Sequence, residues 1–148
     1  MEIMMIMVVI SIVIGGSIFL LSNDPSDKIQ TLPSEIEQLA KTSLAKAKLD
    51  KRTQYILISP KYIWRSSDSE QTEPPSDSLT QIKLPTDCSI GYKRSGDAQW
   101  HWAKTKADKG IWTFSVAGIC EQVSIIIKLN DSSAEISFHP LTAAIIEK

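Results

Sequence analysis

Residues 3–21 read IMMIMVVISIVIGGSIFLL, with no charge and no proline, and only Ser11, Gly15, Gly16 and Ser17 as soft spots. As a helix, at about 1.5 Å per residue, the run matches the roughly 30 Å hydrocarbon core of a bilayer. A helix can lie there because it satisfies its backbone hydrogen bonds internally. A cleaved secretory signal is the alternative reading. Against it, no Lys or Arg precedes the run, the run is long for the apolar core of a signal, and no A-x-A-like site follows. These features favour a retained, single-pass helix. The flank before the run carries only Glu2 and the α-amino group, while the flank after it, SNDPSD, is acidic and weakly favours the outer side.

The 148 residues suit one domain with an appendage. A formal net charge of −1 gives no overall field to draw the chain onto nucleic acid or anionic lipid. Two cysteines, Cys88 and Cys120, lie in the polar part. In an exported domain an even count suggests one disulfide between them; two buried free thiols are the alternative.

Pro25 and Pro33 predict a break over residues 22–33. Ser34 followed by Glu37 fits a capping box, and Ile36, Leu39, Ala40, Leu44 and Ala47 then recur at helical spacing, so an amphipathic helix is expected over 35–50. From residue 53 the period becomes two. The runs 54–59 and 61–65, parted by Pro60, predict a hairpin or one bent strand. Residues 66–78, SSDSEQTEPPSDS, predict a mobile surface loop. Further strands are expected at 79–84, around Cys88, Ile90 and Tyr92, at 111–116, over Val123 to Leu129, and over Ala134 to Phe138. A last edge strand is expected over 142–146. Trp100 and Trp102 share one strand face, which places them in the core. No internal repeat is present. The fold class is α+β: a transmembrane helix at 1–22, a linker at 23–33, and a head at 34–148 with one helix on a mostly antiparallel sheet.

At the very head of the apolar run stands Glu2. A carboxylate there is costly unless it is paired, neutralised or at the interface; the plain reading is an interfacial charge. The string Met1-Glu2-IMMIMVVISIVIGG nevertheless resembles the N-terminus of type IV pilins and type II secretion pseudopilins, in which a glutamate opens the hydrophobic helix. The resemblance implies that a basic leader, a cleavage-site Gly and a Phe-Thr-Leu segment lie upstream of Met1. It also implies that Glu2 is the assembly residue, pairing with the N-terminal amine of a neighbouring subunit as helices bundle. Unlike charges in a low-dielectric bundle attract strongly, and an unpaired one is penalised. More loosely, the helix leading into YILISP and the late ISFHPLT resemble minor pseudopilins of the GspH/FimT type.

Sites for chemistry are sparse. His101 and His139 lack metal-ligand spacing, no G-x-S-x-G or Gly-rich phosphate loop occurs, and Asp24 and Asp27 do not form a calcium loop. The stretch 93–109 mixes basic and aromatic residues, but Asp97 and Asp108 dilute its charge, so it does not point to nucleic acid. No cofactor, metal or catalytic residue is expected. The reading is thus a structural, non-enzymatic minor pilin or pseudopilin. Its expected partners are other pilin or pseudopilin subunits and the inner-membrane assembly platform. Its expected place is the inner membrane, with the head in the periplasm as part of a pilus or pseudopilus. The rival reading is a single-pass anchored module whose head binds a partner, a substrate or DNA without forming a filament.

Overall fold

A computed structural model describes residues 25–146. The expected membrane helix and Glu2 lie outside the described residues, and no described helix is long and apolar enough to cross a membrane.

Helix α1 spans Pro25–Leu49 with Pro33 inside it. The break expected over 22–33 is therefore absent from residue 25 onward, and Ser34 is an interior helical residue, not an N-cap. An interior proline removes one helical hydrogen bond and costs about 3 kcal/mol. Against that stands a stripe of buried side chains: Ile29, Leu32, Ile36, Leu39 and Leu44, each at most 7% exposed. Each such side chain contributes about 1.5–3 kcal/mol on burial, so packing outweighs the proline. Ala40, Ser43 and Ala47 complete the stripe and are small enough for the sheets to approach closely. The buried Ser43 hydroxyl donates to the Leu39 carbonyl at 2.7 Å, which removes the cost of burying it. Lys46 and Lys48 occupy the last turn, where cations suit the helix dipole, and the chain leaves the helix through Lys51 at φ 49.

Eight strands follow: β1 Gln54–Ile58, β2 Tyr62–Ser66, β3 Gln81–Lys83, β4 Cys88–Arg94, β5 His101–Trp102, β6 Gly110–Phe114, β7 Val123–Leu129 and β8 Ser132–Ser137. They form two four-stranded sheets, in the orders β3-β2-β1-β6 and β5-β4-β7-β8. All pairings are antiparallel. The expected hairpin around Pro60 is present, with Leu57 opposite Trp64. Ser59 closes it, its hydroxyl donating to the Tyr62 carbonyl at 3.0 Å. The run expected over 79–84 divides into a 3-10 turn, Ser78–Thr80, and the short β3. Over 142–146 a single bridge, Phe138 to Ile145, stands in place of the expected strand.

One core joins the helix and both sheets. Ile56, Ile58 and Ile63 face it from the first sheet, and Ile90, Val123, Ile125 and Ile127 from the second. Trp112 sits at its centre, its ring 4.7 Å from that of Phe138 and 4.8 Å from that of Phe114. The Trp112 indole N–H donates to the Glu121 carbonyl at 2.7 Å, so the large ring is buried without an orphaned donor. The sheets meet where Tyr92 of β4 lies over Gly110 of β6, whose absent side chain makes the room: a Cβ there would come within 2.6 Å of the Tyr92 ring.

Trp100 and Trp102 are not core residues. The fully buried indoles are those of Trp64 and Trp112. Trp102 sits on an edge strand two residues long and covers Gly91 on the outer face of the second sheet, with Lys128 Nζ 5.0 Å from its ring centre. Alternation shows which residues share a face; it does not show which face is inward.

Candidate functional site

The candidate sites are surfaces, and the first is the long helix, a handle along which both sheets pack. Helix α1 packs against strands of both sheets along its buried stripe. Its other face carries Gln30, Thr31, Ser34, Glu35, Gln38, Lys41, Ala45 and Lys48, all exposed. At about 1.5 Å per residue, its 25 residues set one end of the head nearly 40 Å from Pro25. A clasp holds the chain's last segment to this handle. The Glu37 carboxylate accepts from the Ile145 N–H at 3.2 Å and pairs with Lys41 at 2.8 Å. The Lys41 ammonium, with help from the Ile145 N–H, holds the Glu37 carboxyl below its ordinary value of 4.5.

The second surface is apolar and lies beside the far end of α1. Leu49 is 81% exposed there. The turn between β6 and β7 runs next to the helix: Gly118, at φ 79, leaves space that the Lys48 side chain fills. Val116 and Ile119 project from that turn, and Leu141 stands beside it, because the Cys120 N–H donates to the Pro140 carbonyl at 2.7 Å. Val116, Ile119 and Leu141 are thus exposed apolar side chains on adjoining turns, and Leu49 is exposed at the end of the helix whose Lys48 reaches that turn. Such a grouping marks a contact surface more readily than a single exposed leucine does.

The two cysteines do not come together. Both are free thiols. Cys88 begins β4 opposite Leu129, whereas Cys120 enters the sheet three residues before Val123, at the other end of β7. Six residues of strand at about 3.3 Å each separate these ends, far beyond the ~7 Å between Cα atoms that a disulfide can bridge. The expected bond is thereby excluded by register. Burial pushes both thiols above their ordinary range.

His101 and His139 serve local structure. His101 pairs with Asp97 at 3.2 Å and stacks on Tyr92 at the sheet edge. His139 Nδ1 accepts from the Leu141 N–H at 3.3 Å. Among the described residues no three His, Cys, Asp or Glu side chains converge as metal ligands.

A cleft with no signal in the residue order lies on the face of the first sheet turned away from α1. Its volume is about 450 Å³, and Tyr62, Trp64, Pro60 and Pro74 line it, with Lys61, Lys104 and Lys106. Loop 67–77 forms one side, held in place by the Ser66 hydroxyl bonded to Gln71 Oε1 at 2.6 Å and by Lys109 Nζ donating to the Gln71 carbonyl at 3.1 Å.

By sequence, neither a protein-family model nor a curated protein matches the chain. By structure, it is similar to the type IV minor pilin FimU of Pseudomonas aeruginosa strain PAO1, at 11% identity, with a TM-score of 0.54 over 83% of this chain and 90% of that one. At that identity the likeness is one of fold: a helix with antiparallel sheets wrapped on it gives this chain a pilin-like α+β head.

Proposed function

We propose that the chain is a minor pilin or pseudopilin, a structural subunit that enters a type IV pilus or a type II secretion pseudopilus through its N-terminal helix. The observation that carries this reading is a conjunction: a pilin-like head hung on a long helix, and an apolar run opened by Glu2 before that helix in the same chain. Neither half suffices alone, since apolar anchors are common and folds host many roles. In this reading residues 3–21 rest in the inner membrane, the head stands in the periplasm, and the partners are other pilin-like subunits and the membrane platform that assembles them. Glu2 is the assembly residue: its carboxylate meets a neighbour's terminal amine where few other groups can solvate it. The exposed cluster of Leu49, Val116, Ile119 and Leu141 supplies head-to-head contact at the far end of α1.

The test is co-purification of the chain with filaments sheared from, or pseudopili extracted from, its native membranes. The wild type is expected in the filament fraction. Glu2→Ala is expected in the membrane at normal abundance but depleted from that fraction at least about tenfold, the loss of one buried charge pair being ample for this. Equal recovery of both chains would remove Glu2 from assembly. Absence of the wild type from any filament would leave an anchored module in its place.

A further inference from the structure

The cleft over the first sheet carries an inference that does not depend on filament assembly. Trp64 lies on β2, on the face turned away from α1, opposite Leu57. It is only 1% exposed. Its indole Nε1 is buried without a hydrogen-bond partner, the single such side-chain atom among the described residues. The other core indole, that of Trp112, is matched to a carbonyl. Leaving a buried donor unmatched costs about 1–3 kcal/mol, so the fold tolerates at Trp64 what it avoids at Trp112. Trp64 also forms part of the wall of the 450 Å³ cleft. The donor itself is covered, so an acceptor entering the cleft must displace part of the wall over Trp64 to reach it.

What surrounds the donor defines that acceptor. Pro60, Tyr62 and Pro74 give the cleft apolar walls that suit aliphatic stems. Lys61, Lys104 and Lys106 stand on its rim, all exposed, and none forms an ion pair among the described residues. A single acidic residue, Glu73, opposes them. These lysines come from two separate segments, the β1–β2 turn and the stretch after β5, so the concentration of charge arises from folding and not from a basic run. A cation-rimmed cleft with rigid apolar walls and one buried N–H matches a carboxylate carried on a short aliphatic stem.

We propose that this cleft is a docking site for an acidic peptide segment of a partner protein. One glutamate or aspartate carboxylate accepts the Trp64 indole hydrogen bond, and neighbouring carboxylates meet Lys61, Lys104 and Lys106. The stem of the buried side chain packs between Tyr62 and Pro74. Loop 67–77 forms the side wall of the cleft and is pinned by Lys109 through the Gln71 carbonyl. Uncovering the indole N–H requires this wall to shift, so binding bears the cost of that movement.

The test reads the indole N–H itself. The full chain, ¹⁵N-labelled at tryptophan and held in detergent micelles, gives one indole resonance for each of Trp64, Trp100, Trp102 and Trp112. Trp64→Phe serves to assign its resonance. A blocked hexaglutamate peptide is titrated in, with blocked hexaglutamine as control. The expected result is a saturable downfield shift of the Trp64 indole proton with hexaglutamate and not with hexaglutamine. In the double variant Lys104→Ala/Lys106→Ala, whose changes are on exposed side chains, the affinity is expected to fall about tenfold, as for the loss of charge-assisted contacts worth ~1.4 kcal/mol. The proposal is overturned if the Trp64 resonance does not move, if it moves equally with both peptides, or if the double variant binds hexaglutamate as the wild type does. Because the assay uses no filament, its failure leaves the assembly reading untouched, and the loss of the assembly reading leaves this site standing.

Discussion

Glycine 110 shows how much of this head depends on the absence of an atom. It is buried, faces Ile58 in the neighbouring strand, and lies under the Tyr92 ring that brings the second sheet against the first. A Cβ would meet the Tyr92 ring carbons Cδ1 and Cε1 at 2.6 Å, and a ring packed against the core has no free end to swing aside. Gly110→Ala is expected to destabilise the head by about 1–3 kcal/mol, the usual range for overpacking, measured as a lower urea midpoint with an unchanged slope. Glu37 makes a different kind of prediction. Its folded-state carboxyl titrates below the ordinary value of 4.5, so its contribution is fully present above that value and is lost as pH falls through the lower folded-state value. Glu37→Gln is therefore expected to cost stability at neutral pH, by about 1 kcal/mol for the hydrogen bond and ion pair together. It should converge on the wild type once pH falls below the folded-state value, where both side chains are neutral; denaturation curves taken at stepwise lower pH from 7 check this. The cysteines give a third outcome. Alkylation of the unfolded chain without reductant is expected to label both Cys88 and Cys120, read as intact mass, since the register of β4 and β7 holds them apart.

At the level of elements, the strands were far more legible than the helix boundary. Residues 123–129 alternate so regularly that β7 could be read directly, and every second side chain from Val123 to Leu129 is buried. Asn130, at φ 51, makes the tight turn between β7 and β8. The helix was misread at its start because Pro33 was weighed locally, as a breaker, whereas its cost is met by tertiary burial of Ile29, Leu32 and Ile36 that the sequence alone does not display. The two tryptophans near residue 100 break the expectation differently: Trp102 lies on the outer face of a two-residue edge strand, and Trp100 precedes that strand. The disulfide failed on register, which cysteine counting cannot supply. The Trp64 cleft was illegible because its lysines and aromatics come from the β1–β2 hairpin and from loops tens of residues away. The helix correction can be measured. If packing carries Pro33 against its own preference, Pro33→Ala should stabilise the head by about 1–3 kcal/mol, seen by circular dichroism as a raised melting midpoint with slightly greater helicity. A fall in the midpoint would mean instead that the proline ring itself is required in this part of the helix.

For the molecule as a whole, the proposed assembly makes its most direct demand on the apolar surface at the far end of α1. Its members come from three separate parts of the chain: the end of the helix, the β6–β7 turn, and the segment after Pro140. Backbone contacts bring these parts together: the Cys120 N–H to the Pro140 carbonyl and the tight turn at Gly118. Ile119 and Leu141, 47% and 57% exposed, leave about half of their apolar surface uncovered by the head itself. Burying such side chains against a neighbour would contribute about 25 cal/mol per Å² of apolar surface. The double variant Ile119→Asp/Leu141→Asp separates the two roles. Its melting midpoint is expected to fall only modestly, by the equivalent of about 1 kcal/mol, because both side chains are about half exposed and lose only part of a buried side chain's ~1.5–3 kcal/mol. Its recovery in the filament fraction is expected to fall, because two carboxylates would then have to be desolvated at the contact. Glu2→Ala, acting at the other end of the chain, should lose the filament by a separate route, with the head surface intact. Additive losses in the combined variant would show that the helix and the head contribute independently to subunit order. An unimpaired Ile119→Asp/Leu141→Asp chain would show that this end of the head faces solvent in the assembly and that partner contacts must be sought elsewhere, first along the groove that Gln38, Thr42, Leu79 and Ile82 form between α1 and the edge of the first sheet.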